Sequence, residues 1–279
     1  MKVAEARAAA KVRETSGVRP PPGVPGPDPD AAARLSAQQD GDGDPGGDQP
    51  RVAAEEEDMA TFVLVPGGWK GGWAFEAVVP LLEGAGHRVH ALTLSGLRPD
   101  DDIATVATAN LDTHADDVLR HLDRHQVTNA TLVGHSYAGM VIAAAADRAE
   151  GRVSRLVHLD AYVPRDGESC WSATSDHFRD VFAAGAAATG YAVRPPDGGD
   201  PRRRPHPLAS LLQTIRLTGA VSQVPRREFV YCSGWDRTPF AELRARLDAQ
   251  PDWQVHDLPT GHDAMREAPE AVAALLLDE

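Results

Sequence analysis

Ser136 stands in Gly134-His-Ser-Tyr-Ala-Gly139, between the apolar run Ala130 to Gly134 and the helix-forming run Met140 to Ala146. Small residues two before and two after a serine let the chain turn sharply from strand to helix, which exposes the hydroxyl at the C-terminal edge of a sheet. A hydroxyl so placed becomes a nucleophile when a base can take its proton. His262 is the candidate base, in the loop Leu258-Pro-Thr-Gly-His-Asp263 between a strand-like Trp253 to Leu258 and a helix-like Glu267 to Leu277. Two carboxylates that could orient its imidazole, Asp160 and Asp236, lie between serine and histidine. Serine, acid and histidine in this order suit acyl transfer through a covalent intermediate. The strict form of the turn has glycine at the second small position, where this chain has Ala138 followed by Gly139. Alanine adopts left-handed backbone only at a cost.

Acyl transfer also needs donors aimed at the oxyanion that develops. The run Thr61-Phe-Val-Leu-Val65 leads into Pro66-Gly-Gly-Trp-Lys-Gly-Gly-Trp73, a glycine-rich loop whose backbone N–H groups can face a ligand. The predicted oxyanion donors are the amides of Gly68 and Tyr137. Gly67, Trp69, Trp73 and Trp171 are candidates for the substrate pocket, with plain core packing the competing role for the tryptophans. His135 reads as a packed or hydrogen-bonded residue rather than a second base. Asp263 either tunes His262 or caps the final helix. Each acid also has a structural alternative: Asp160 as a hinge or helix-capping residue, Asp236 as N-cap of a helix over Pro239 to Leu247.

The elements that must carry these residues alternate. Strands are expected at Thr61 to Val65, His87 to Leu94, Ala130 to Gly134, Val153 to Leu159 and Glu228 to Cys232, with helices at Trp73 to Gly84 and Leu111 to His125. Apolar strands alternating with helices predict an α/β fold with a doubly wound, mostly parallel sheet buried on both faces. The alternation breaks between Pro164 and Pro225, in a segment that holds Trp171, Phe178, Phe182 and Tyr191 and then a proline-rich basic stretch, Arg194 to Pro207. A helical cap over the site is its expected role. Arg202, Arg203 and Arg204 read as a solvated loop, with attraction of an anionic substrate the alternative.

The stretches Phe62-Val-Leu-Val-Pro-Gly-Gly-Trp69, Gly86-His-Arg-Val89, Thr93-Leu-Ser-Gly-Leu97, Val133-Gly-His-Ser-Tyr137, His158-Leu-Asp-Ala-Tyr-Val-Pro164 and Thr260-Gly-His-Asp-Ala-Met265 resemble the esterase and hydroxynitrile-lyase branch of the α/β-hydrolases. The branch includes plant methylesterases and small bacterial esterases, and the likeness runs from Met59 to the C-terminus. It implies the α/β-hydrolase fold, a serine hydrolase with a lid-like cap, and no cofactor. For the acid it points two ways. The plant members would place it in the loop after Glu228 to Cys232, where Asp236 lies one residue further on and Trp235 stands where their aspartate would be. Bacterial members carry the same Leu-Asp-Ala motif around Asp160, and Asp160 is preferred, with Asp236 the alternative. One departure concerns the oxyanion loop, since Pro66-Gly67 replaces the usual His-Gly and proline has no N–H to anchor it. The lyases of the branch need a lysine directly after the catalytic histidine and a threonine in the oxyanion loop. Asp263 and Gly67 stand there, so lyase activity is not expected.

The function expected is hydrolysis of a carboxylic ester or lactone of a small apolar substrate. The alternative is non-hydrolytic use of the fold, as a natural-product cyclase or small-molecule receptor. The chain has 279 residues, 42% of them hydrophobic, and a net charge of −13 from 28 basic and 41 acidic side chains. That acidity disfavours nucleic acid and anionic membrane as partners. A second copy of the chain, as a homodimer, is the macromolecular partner left open. No apolar run suits a transmembrane helix and no signal-peptide core is apparent, so a cytoplasmic location is expected. Cys170 and Cys232 form no disulfide framework. No metal site is expected, the histidines being read as without paired ligand spacing.

Residues 1–58 contrast with the rest. Pro20 to Pro29 and Asp40 to Asp48 contain almost no large apolar side chains, and disorder is expected because such segments cannot bury enough surface to offset ordering entropy. The Asp-Gly-Asp-Gly-Asp run lacks the glutamate and flanking helices of a calcium loop. The catalytic domain is expected to span 59–279, the upstream extension being dispensable or a misplaced start.

Overall fold

A computed structural model describes residues 59–236 and 238–278; the reading of 1–58 lies outside them. The first strand, β1 (Thr61–Val65), is buried throughout. Phe62 and Leu64 enter one hydrophobic cluster, and Val63 and Val65 the other. Period-two alternation therefore feeds two cores, one on each face of the sheet. The same division holds in β3 (Ala130–His135), where Leu132 and Val133 face opposite clusters, and in β7 (Arg226–Cys232), where Phe229 and Val230 do.

With β2 (Arg88–Ala91), β4 (Val153–Leu159) and β8 (Gln254–Leu258), these strands form a six-stranded sheet in the order β2-β1-β3-β4-β7-β8. Every pairing is parallel. The order reverses direction around β1 and β3, and ligands of open α/β sheets bind beyond the carboxyl ends of the strands at such a switch.

Helices cover both faces: α1 (Val79–Gly84), α2 (Ile103–Thr108), α3 (Leu111–Arg124) and α4 (Ala138–Arg148) come before β4. The helix expected over Trp73 to Gly84 is divided into a 3-10 turn, Gly72–Phe75, and α1, which has Pro80 in its first turn. The strand expected over His87 to Leu94 is limited to β2. In α4 every residue but Arg148 is buried, and its alanines let it lie close on the sheet. Gly139 is required there: a Cβ would stand 2.0 Å from the Tyr162 carbonyl oxygen.

Between β4 and β7 the chain leaves the sheet for α5 (Cys170–Ala173), α6 (Asp176–Ala186), a hairpin of β5 (Ala192–Val193) and β6 (His206–Pro207), and α7 (Leu208–Leu212). After β7 come α8 (Ala241–Asp248), β8, α9 (Ala264–Glu267) and α10 (Pro269–Leu277). The single final helix expected from Glu267 is broken at Ala268 (φ −145°), because the residue before a proline is pushed out of helical backbone. Among the described residues no helix is long and apolar enough to cross a membrane.

Candidate active site

Ser136 occupies the turn between β3 and α4 with φ +55°. The positive φ falls on the serine itself and not on Ala138, which lies in the helix. Alanine at 138 therefore carries no left-handed strain. The carbonyl of Ser136 accepts from the N–H groups of Gly139 (3.1 Å) and Tyr162 (3.2 Å), and its own N–H donates to Leu159 O (3.3 Å). A strained serine backbone is thus held from both sides by its neighbouring strand and helix.

Asp160 follows β4 directly, also at positive φ (+42°), and is fully buried. Its N–H donates to Val230 O at 2.7 Å, and its Oδ1 accepts from Cys232 N–H at 3.1 Å. The other oxygen, Oδ2, lies 2.6 Å from His262 Nδ1. Asp236 is exposed on the turn after β7. The structure therefore brings Asp160, and not Asp236, to the imidazole.

His262 arrives on the loop after β8. Its ring stacks on Trp235, with centroids 4.2 Å apart, and its carbonyl accepts from His135 Nε2 at 2.9 Å. Burial lowers its pKa below the ordinary imidazole value, against the opposing pull of the Asp160 carboxylate. A neutral imidazole with Nδ1–H given to a carboxylate leaves Nε2 free to accept a proton. His135, donating through Nε2 to that carbonyl, is fixed as a support for the loop. Burial holds it well below the usual range, so it stays neutral.

The amides of Gly68 and Tyr137 flank the serine, one on the loop after β1 and the other at the N-terminus of α4. Among the described residues neither donates to a backbone or side-chain acceptor. Gly67 touches the serine's own turn: a Cβ there would stand 2.7 Å from Ser136 Cβ and 2.8 Å from His135 Nδ1. Its place is thus one of close backbone approach.

The anchor that Pro66 cannot supply comes from the segment between β4 and β7. Trp69, at φ +66°, donates its N–H to His206 Nδ1 (3.4 Å) and its indole N–H to Val193 O (2.8 Å), and its carbonyl accepts from Arg204 N–H (2.9 Å). His206 in turn donates through Nε2 to Ser210 Oγ at 2.9 Å, and that hydroxyl donates to Pro207 O. Tyr137 is set by the same group of rings, its hydroxyl donating to His114 Nδ1 (2.8 Å) while His114 Nε2–H meets Ser95 O (2.8 Å).

Ser136 and His262 open into one cleft, lined also by Gly68, Trp69 and Tyr137. Its remaining wall is mostly apolar and includes Tyr162, Phe178, Phe182, Trp235 and Phe240. Trp73 and Trp171 do not line it. Trp73 stacks under the Arg202 guanidinium, 4.4 Å from the ring centroid, and Trp171 packs against the core with its carbonyl accepting from Arg179. Sequence reasoning missed His206, Tyr162 and Phe240. Only Tyr162 had a local signal, two residues past Asp160.

The alpha/beta hydrolase family model matches residues 62–275. The chain belongs to that family. This hydrolase is 34% identical over 239 residues to the carbendazim hydrolyzing esterase of Nocardioides sp. (strain SG-4G), a match covering 78% of this chain and 98% of the relative. It is 33% identical to methylesterase 2 of Arabidopsis thaliana over 114 residues, 40% of this chain and 43% of that one. Among solved structures, the hydrolase superposes on a pyrethroid hydrolase from Sphingobium faniae JZ-2 with a TM-score of 0.63, at 22% identity, covering 79% of this chain and 96% of the other. The two sequence relatives agree with an ester-cleaving hydrolase, and the solved structure shows the same fold.

Proposed function

We propose that this hydrolase cleaves a carboxylic ester or lactone of a small, largely apolar substrate through an acyl-enzyme on Ser136. The observation that carries the reading is the 2.6 Å contact of His262 Nδ1 with the buried Asp160 carboxylate, in a cleft that Ser136 shares. In the first half-reaction His262 Nε2 takes the hydroxyl proton as Oγ attacks the ester carbonyl. The amides of Gly68 and Tyr137 hold the oxyanion, each contributing about 3 kcal/mol in the transition state. His262 then protonates the leaving alcohol, and in the second half-reaction it deprotonates water, which attacks the acyl carbonyl and releases the acid. Asp160 keeps the imidazole in the required tautomer and stabilises its cation.

The segment between β4 and β7, about residues 164–225, acts as the cap. Phe178 and Phe182 of α6 supply part of the apolar wall, which favours an apolar acyl or alcohol group over a charged one. The test is a p-nitrophenyl ester and lactone series of increasing chain length, with wild type against Ser136→Ala. Turnover that depends on the serine supports the reading; equal turnover by the variant refutes it.

A further inference from the structure

Away from this cleft, three imidazoles meet at the edge of the sheet. His90 lies on edge strand β2, in register with Val63 of β1, and His121 and His125 lie at the C-terminal end of α3. The i, i+4 spacing sets the two helix-end rings on one face, a pairing that the sequence analysis passed over. The three ring centroids are 4.3, 4.6 and 4.8 Å apart, and one nitrogen of each ring lies within 4.8 Å of the other two. His90 Nε2 and His121 Nε2 are shielded from solvent and have no hydrogen-bond partner among the described residues. Buried polar atoms ordinarily find a partner, so two orphaned nitrogens in one cluster are lone pairs or N–H groups without a role among the described residues.

We propose that His90, His121 and His125 bind one divalent transition ion, with zinc the best suited and cobalt or nickel able to replace it. Imidazole nitrogens suit these ions, and three of them leave a fourth tetrahedral position for water. Zinc–nitrogen bonds of about 2.0–2.1 Å require nitrogens on the order of 3.4 Å apart, so the rings must close by roughly an ångström. His125 is exposed and its side chain is free to make that adjustment. Arg88 and Arg124 are the charged groups that face the cluster; they oppose a cation, and the three nitrogen bonds must outweigh them.

The ion would act on the fold and not in the cleft. His114, which touches Tyr137, is seven residues earlier on α3, about 10 Å along the helix axis. Bound metal would clip the end of α3 to a strand that, among the described residues, is the last of the sheet on that side. The inference does not depend on the hydrolytic reading.

The test uses the full chain, freed of metal with EDTA and titrated with Co²⁺ and then Zn²⁺. One equivalent of cobalt should give the visible d–d bands of a tetrahedral site, zinc should displace it, and the thermal midpoint should rise with zinc concentration. His125→Gln alters an exposed side chain and should weaken binding at least about tenfold and abolish the bands by removing one of three ligands. Its metal-free ester hydrolysis should match wild type. His121→Gln should reproduce the loss. The proposal is overturned by an absence of saturable binding in wild type, or by wild type and His125→Gln binding alike.

Discussion

Asp160 Oδ2 and His262 Nδ1 are 2.6 Å apart although 102 residues separate them in the chain. β4 and β8 are not neighbours in the sheet; β7 lies between them. The aspartate spans that gap by leaning over the end of β7, where Cys232 N–H holds its second oxygen at 3.1 Å. A carboxylate fixed by two partners can orient the imidazole without itself moving.

It follows that the two aspartates separate cleanly. Asp160→Asn should lower kcat by about four orders of magnitude, the loss seen when an amide imposes the wrong tautomer. Asp236→Asn, on an exposed turn, should stay within a few-fold of wild type. Steady-state kinetics on one p-nitrophenyl ester checks both, and the reverse ranking would refute the assignment.

The pH profile has a sign. A protonated imidazole cannot accept the serine proton, so kcat/KM must fall as pH drops through the pKa of His262 in the free enzyme. Burial holds that pKa below the ordinary imidazole value of 6.5. The acidic limb should therefore have its midpoint below that value, and a midpoint well above it would show a site more hydrated than this one.

If the proposed oxyanion donors act as such, the hold of His206 on Trp69 makes His206 a positioning residue. Removing the acceptor for Trp69 N–H should cost about 1 kcal/mol, or roughly fivefold in rate. His206→Ala should show this in kcat with little change in KM. His206→Gln, which keeps an acceptor, should recover part of it. A change confined to KM would mean that His206 only lines the cleft.

Gly67→Ala places a methyl group 2.7 Å from Ser136 Cβ. Overpacking of this kind costs about 1–3 kcal/mol, and here the strain falls on the turn that holds Ser136. Turnover should drop by about tenfold or more while the far-UV circular dichroism is kept. Unchanged turnover would show that the loop can move away.

What the sequence revealed follows a physical division. Strands buried on both faces are legible, and Thr61 to Val65 and Val153 to Leu159 have the expected bounds, because short runs rich in β-branched residues and bounded by turn residues favour strand over helix. Ser136 and His262 are legible because a strand-to-helix turn and a strand-to-helix loop are local patterns. His206 was not, since its contact to Trp69 crosses 137 residues and is made by a loop of no regular pattern. Nor were the places of Trp73 and Trp171: a tryptophan beside an active-site loop serves equally well under an arginine or in the core. The paired spacing of His121 and His125 was in plain view, but only the fold brings His90 to it.

Whether Ser136 is activated can be read by labelling with a fluorophosphonate probe, followed by intact mass and peptide mapping. A single adduct on Ser136 is expected, absent from Ser136→Ala and formed far more slowly by Asp160→Asn. No adduct under conditions where a control serine esterase labels fully, or an adduct on another residue, would contradict it.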